Sequence, residues 1–207
     1  MIQETFPVGP LQSNCTILAD PLTRDAMVID PGGDVKKILK LVREMEVKVI
    51  HILHTHGHVD HILGSGELKK HVSAPFWLHK GDEHLWKTLE SQCRMYGLPY
   101  YPAPDCENWL THNGALPMFD GIALHTPGHT PGSTCFYFQK EKLVIAGDTL
   151  FYRSIGRTDL PMGSYRDIEN SIRKVLYRLP DDVRVITGHG PDTMIGDEKK
   201  FNEFIRE

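Results

Sequence analysis

The segment Thr55-His56-Gly57-His58-Val59-Asp60-His61 places three imidazoles and a carboxylate within six positions. It directly follows an apolar run at 47–53 that reads as a buried strand. Neutral imidazole and carboxylate are the ligands of zinc, iron and manganese, and histidines crowded this densely gain nothing without a metal. If strand geometry persists, His56 and His58, two apart, project to one side. Asp60 and His61 then lie on the following turn, where they can face a neighbouring ion. A solvated histidine-rich loop is the plain alternative, and the density of ligands argues against it.

The rest of the chain supplies strands and helices around this cluster. Apolar runs at 5–8, 15–19 and 26–30, separated by turn residues and ending in Asp30-Pro31-Gly32-Gly33, predict a strand meander. Asp34 is placed to cap a helix whose apolar positions Val35, Ile38, Leu39, Val42 and Met45 keep the 3.6-residue period. The second half repeats the style, with strands at 122–125, 134–139 and 143–146. A helix begins at Ser164, where Ser164-x-x-Asp167 is like a capping box, and its apolar face is Ile168, Ile172, Val175, Leu176 and Leu179. A strand at 183–187 follows, then a last helix with Phe201, Phe204 and Ile205 on one side. Two β-then-α halves predict a layered α/β structure with helices covering packed sheets. Between them, 93–113 is rich in proline and aromatics (Tyr96, Tyr100, Tyr101, Trp109) and reads as a long connection, either a stiffened surface loop or a lid over substrate.

Composition narrows the partners. In 207 residues with 40% hydrophobic and 24% charged side chains and a net charge of −4, there is neither a basic stripe for nucleic acid nor an acidic run. The length suits one domain, 1–207. No apolar stretch is long enough for a membrane span, and the first residues lack the apolar core of a signal peptide. Cys15, Cys93, Cys106 and Cys135 form no C-x-x-C pair, which suits reduced thiols and a cytoplasmic location. Cys15 and Cys135 fall in strand-like runs and read as small core residues.

The histidine cluster resembles the H-x-H-x-D-H signature of the metallo-β-lactamase superfamily. Three later segments look like that family's remaining ligand motifs: Thr126-Pro127-Gly128-His129-Thr130-Pro131-Gly132-Ser133, Ala146-Gly147-Asp148-Thr149 and Thr187-Gly188-His189-Gly190-Pro191. Each follows a predicted strand. The resemblance implies an αββα sandwich, two mixed β-sheets covered by helices. It implies that His56, His58 and His129 hold one divalent ion and Asp60, His61 and His189 a second, with Asp148 and a water or hydroxide between them. Asp60 and Asp148 are then catalytic as well as ligating. Zinc is the expected metal, with iron and manganese also suited to these ligands. Two ions about 3.5–4 Å apart bring the pKa of a shared water from 15.7 toward about 7, which makes hydroxide available at neutral pH.

Of the other histidines, His51, His54 and His125 match no ligand position and read as core or supporting groups, and His71, His79, His84 and His112 as structural or exposed. Asp30 is placed either to orient a ligand imidazole or to serve as a plain turn aspartate.

The flanking motifs separate branches of the family. Asp148 tells against antibiotic hydrolysis, because the true β-lactamases lack the bridging aspartate. Gly147-Asp148-Thr149-Leu150-Phe151 and Ser154-Ile155-Gly156-Arg157-Thr158-Asp159 are similar to the glyoxalase II (hydroxyacylglutathione hydrolase) branch, in a short form without its C-terminal helical domain. That implies hydrolysis of a small-molecule acyl thioester such as S-lactoylglutathione. A thiolate, whose parent pKa is about 8–9, leaves without a dedicated general acid. Arg157, Tyr100 and Tyr101 are the candidate substrate contacts; Arg157 is placed to position the substrate or brace the site, and a structural salt bridge is its plain alternative. The alternative branch is a persulfide dioxygenase, which shares Gly-Arg-Thr-Asp and uses a single iron, but Gly188-His189-Gly190-Pro191 follows the glyoxalase pattern.

Overall fold

Apolar runs broken by turn residues form the front of the chain as an antiparallel meander, β1 (Ile2–Val8), β2 (Ser13–Ala19) and β3 (Asp25–Ile29). The computed structural model describes all 207 residues, in two units comprising 1–78 with 83–109, and 79–82 with 110–207. In the first unit, α1 (Val35–Glu44) carries the chain back so that β4 (Lys48–Leu53) lies parallel to β3. Such a return needs a crossover, which the helix provides. β5 (Phe76–His79) is parallel to β4, and β6 (Asn108–Leu110) completes the sheet in the order β1-β2-β3-β4-β5-β6. β4 is thus an interior strand, and its carboxyl end runs straight into the histidine motif. Val35, Ile38 and Val42 of α1 are buried in this unit's core with Ile52 and Phe76, while Leu39 and Met45 pack at its margin.

The turn after β3 supports the motif from below. Asp30 adopts a left-handed φ of 51°. A Cβ on Gly32 would stand 1.6 Å from the Asp60 carbonyl oxygen, so only glycine lets the turn pass there. The same oxygen accepts a hydrogen bond from Ser13 Oγ at 2.5 Å. The turn and the β2 entrance therefore hold the backbone that carries Asp60.

In the second unit, β7 (Ile122–His125), β8 (Thr134–Phe138) and β9 (Leu143–Gly147) form an antiparallel set. β10 (Leu150–Phe151) and β11 (Ser154–Ile155) make a small hairpin, after which α6 (Tyr165–Lys174) crosses back to place β12 (Arg184–Thr187) parallel to β9. β13 (Thr193–Met194) ends the order β13-β12-β9-β8-β7. β7, β9 and β12 consequently run the same way and end at one edge of the sheet. Ser164 caps α6 as expected, its side chain accepting from the Asp167 N–H at 3.2 Å. Ile168, Ile172 and Leu176 are buried, with Val175 and Leu179 at the edge of the cluster.

Three expectations are corrected. Asp34 stands at the start of α1 but does not cap it, because its carboxylate accepts instead from the Gly9 N–H at 2.9 Å. The last helix, α7 (Ile195–Phe201), stops before Phe204 and Ile205, and Phe201 and Phe204 are exposed while Ile205 is buried. The long connection 93–113 is partly regular, since the end of α5 (Leu89–Tyr96) and β6 fall inside it, and the short helices α2 (Val59–Ile62), α3 (Ser65–Leu68) and α4 (Glu83–Lys87), not expected from the sequence, precede it. Short helices of four to eight residues carry too little periodicity to be read from sequence. No helix is long and apolar enough to cross a membrane.

In the second unit, His79 stacks on His125 with ring centroids 3.9 Å apart and 15° between planes. Its Nδ1 accepts from the Gly81 N–H at 3.1 Å, while His125 Nε2 donates to the Pro131 carbonyl at 2.8 Å. Burial, and then the neighbouring His125, lower the His79 pKa to about 4. A histidine whose folded pKa lies below its unfolded value stabilises fully above the unfolded value of about 6.5, and that contribution is lost as pH falls toward 4. Melting temperature should therefore drop over that window, and less steeply in His79→Gln. Parallel curves for the two proteins would show that this pair does not govern acid stability.

Candidate metal centre

The first unit contributes a set of donors prepared by one buried carboxylate. Asp30, 1% exposed, accepts at Oδ1 from the Thr55 N–H at 2.7 Å and at Oδ2 from the Thr55 hydroxyl at 2.6 Å and His61 Nδ1 at 2.9 Å. Because the Thr55 hydroxyl donates to Asp30, it can only accept from His56 Nδ1, 3.1 Å away. Both rings thus carry their proton on Nδ1 and their lone pair on Nε2. The ring centroids of His56 and His61 are 4.1 Å apart, and those of His56 and His58 are 4.9 Å apart. Donor atoms of His56 and His58, of His56 and His61, and of Asp60 and His61 fall within 4.8 Å of each other. Asp30 bonds directly to the His61 ring and reaches the His56 ring through the Thr55 hydroxyl.

The second unit contributes the loops that follow β7, β9 and β12. His129 Nδ1 donates to the Arg157 carbonyl at 2.8 Å, which again leaves the lone pair on Nε2. That Nε2 stands 3.5 Å from Asp148 Oδ2, and His189 Nε2 stands 3.7 Å from the same oxygen. Asp148 sits where it does because Gly188 has no side chain: a Cβ there would meet Asp148 Oδ1 at 1.9 Å. The His129 loop is pinned by Asp82, fully buried, which accepts from Thr130 Oγ1 at 2.7 Å and from the Gly132 N–H at 2.6 Å.

The chemistry of these donors fits metal. Two acceptors facing each other at 3.5 Å, His61 Nε2 with Asp60 Oδ2 in one unit and His129 Nε2 with Asp148 Oδ2 in the other, are brought together favourably by a cation. Thiolate takes no part. Cys15 and Cys135 are buried, and burial pushes the Cys135 thiol up to about 11, in keeping with core residues.

Other sequence-predicted residues fall outside these groups. His54 is a core residue, its Nδ1 against the Trp77 carbonyl at 3.1 Å and its Nε2 against Ser65 Oγ at 2.7 Å. The Arg157 guanidinium grips Asp159 through two 2.7 Å bonds and holds that carboxyl down to about 2, so it is the Arg157 backbone that meets the His129 ring. Tyr101 lines a groove of about 770 Å³ with Pro10, Lys36, Lys37 and Leu98, and none of the seven predicted ligands is in its wall. Tyr100 is 41% exposed. Sequence reasoning missed Asp82, 48 residues from Thr130 in a stretch without pattern. Gly188 is legible in the sequence only as part of the Thr187–Pro191 motif.

Fold and donor groups together define a class. The chain belongs to the metallo-β-lactamase superfamily, whose family profile matches residues 8–189. The chain is 37% identical over 206 residues to the hydroxyacylglutathione hydrolase GloC of Haemophilus influenzae, an alignment spanning 98% of this chain and 97% of that protein. Its structure is similar to that of the BLEG-1 B3 metallo-β-lactamase, with a TM-score of 0.92 and 34% identity over 100% of both chains. It is also similar to TTHA1623 in a di-iron-bound form, with a TM-score of 0.89 and 34% identity over 98% of this chain and 100% of that one. The expected fold, two mixed sheets with their helices, is the one the chain adopts, and its His/Asp clusters are able to hold metal.

Asp30→Asn should test the support. The amide nitrogen donates and cannot accept, so one side of the Asp30 carboxylate, toward the Thr55 N–H or toward the Thr55 hydroxyl and His61, loses its acceptor; metal affinity should fall by roughly 10–100-fold, read by competition with a chromophoric chelator. Gly188→Ala should lower it as well, by displacing Asp148. Wild-type affinity in both variants would contradict the assigned supports.

Proposed function

We propose that the chain is a binuclear metallohydrolase of acyl thioesters, similar in action to hydroxyacylglutathione hydrolases. In this reading His56, His58 and His129 hold one ion, Asp60, His61 and His189 the other, and Asp148 is shared. The observation that carries it is the placing of Asp148 Oδ2 at 3.5 and 3.7 Å from the donor nitrogens of His129 and His189, one assigned to each ion. The likeness to GloC over nearly the whole of both chains supports the choice of thioester.

When bound, two divalent ions supply a Lewis acid for the carbonyl and a water acidic enough to attack near neutral pH. The chain's own residues aim the donors: Asp30 sets the His61 ring and, through Thr55, the His56 ring, and the Arg157 carbonyl sets His129. A thiolate leaving group needs no proton from the protein, whereas a lactam nitrogen does. Arg157 we assign to bracing rather than to substrate. Zinc is the metal we assign, with iron and manganese also suited to these donors, and the di-iron form of TTHA1623 supports iron.

A second reading, β-lactam hydrolysis, is favoured by the likeness to BLEG-1. Protein loaded with zinc or with iron should be assayed on S-lactoylglutathione, on a chromogenic cephalosporin, and for oxygen uptake with glutathione persulfide. The expected result is thioester hydrolysis in excess of the other two, reduced by roughly 100-fold or more in Asp148→Ala. Cephalosporin turnover or oxygen uptake without thioester hydrolysis would overturn the proposal.

A further inference from the structure

The histidine motif has a capping problem. His58 is the residue at the start of α2, with an extended backbone (φ −72°, ψ 149°) and no capping bond from its side chain. The first N–H groups of any helix have no partner within the helix, and serine, threonine, aspartate or asparagine normally supplies one from this position. An imidazole committed to metal cannot. The missing acceptor comes from α5: the Val59 N–H donates to Gln92 Oε1 at 2.9 Å.

The same carboxamide also works in the opposite sense. Gln92 Nε2 donates to the Gly57 carbonyl at 3.1 Å and to the Leu85 carbonyl at 2.9 Å. Gly57 C=O and Val59 N–H flank His58 on either side, the pair of backbone groups that a neighbouring β-strand would engage. Gln92 is carried by a helix anchored through Leu89 and Cys93, both buried in the first unit's core. Only a primary amide offers an acceptor and two donors in one planar group at this length; glutamate offers acceptors alone and methionine neither.

We propose that Gln92 is a positioning residue for the metal centre: its side-chain amide stands in for a peptide unit, fixing the backbone of His58 and the first turn that carries Asp60. The proposal rests on the reading that His58 and Asp60 hold metal. It ties metal affinity to α5, which leads into the 93–113 segment.

The test compares wild type, Gln92→Met and Gln92→Glu. Zinc affinity is measured by chelator competition, the visible spectrum is recorded with cobalt(II) bound, melting temperature is taken with and without zinc, and amide exchange is followed at Val59. Gln92→Met should weaken at least one ion by roughly 10–100-fold, shift the cobalt spectrum and speed exchange at Val59. Gln92→Glu keeps the acceptor for Val59 but gives Gly57 no donor, so it should fall between. A melting temperature lowered equally with and without zinc, at unchanged affinity and spectrum, would make Gln92 merely structural and overturn the proposal. Should Gln92→Met fail to fold, wild-type affinity in Gln92→Glu, or fast Val59 exchange in wild type, would also overturn it. Wild type that takes up no zinc or cobalt would sink the two-metal reading and this inference with it, whereas an effect missing only from the variants sinks this inference alone.

Discussion

A metal site made of imidazoles depends on each ring presenting a lone pair, not a proton, to the ion, and that depends on what holds the opposite nitrogen. Asp30 governs this in the first unit. It accepts the hydrogen bond from His61 Nδ1 directly and orders the Thr55 hydroxyl so that it can only accept from His56. The carboxylate is buried, and its stability there comes from the three hydrogen bonds it accepts. Removing it would cost two ring orientations and strand the Thr55 N–H at once. In the second unit a backbone carbonyl, that of Arg157, performs the same office for His129.

Around these supports the fold brings strand ends to one place within each sheet. β4 is an interior strand parallel to both neighbours, so the residues after it emerge at a single carboxyl edge with the turn after β3 beside them. In the second sheet β7, β9 and β12 end together because β9 and β12 are parallel and β8 reverses the direction between β7 and β9. Glycines then remove the side chains that would block the final approach. Gly32 leaves room for the Asp60 carbonyl, and Gly188 for the Asp148 carboxylate. The chemistry of the centre is therefore written partly in residues that have no chemistry of their own.

The parts visible in the sequence were those with local signatures. Strands β1 to β4 and β7 to β9, and helices α1 and α6, rest on short-range periodicity, and most observed ends differ from the expected ones by only a few residues, although α6 ends at Lys174 and Val175, Leu176 and Leu179 of its expected face lie beyond it. The donor residues themselves announce their chemistry by type and spacing. What was hidden depends on long-range contact. Asp82 reaches Thr130 and Gly132, and Gln92 reaches Gly57 and Val59, across separations of 33 to 50 residues, and neither sits in a motif. Asp34 misled because a capping residue type occupied a capping position while a stronger use for its carboxylate, the Gly9 N–H, lay 25 residues away. Phe204 and Ile205 misled because apolar spacing continues past the end of α7, where the Ile205 N–H bonds to Asn202 Oδ1 and the chain leaves the helix.

The central claim is that two ions share Asp148. Anomalous diffraction from crystals grown with zinc, collected above and below the zinc absorption edge, measures this directly. The account predicts two peaks per chain, one against His56, His58 and His129 and one against Asp60, His61 and His189, with Asp148 in contact with both. A single peak in fully loaded protein, or two peaks of which only one touches Asp148, would contradict it.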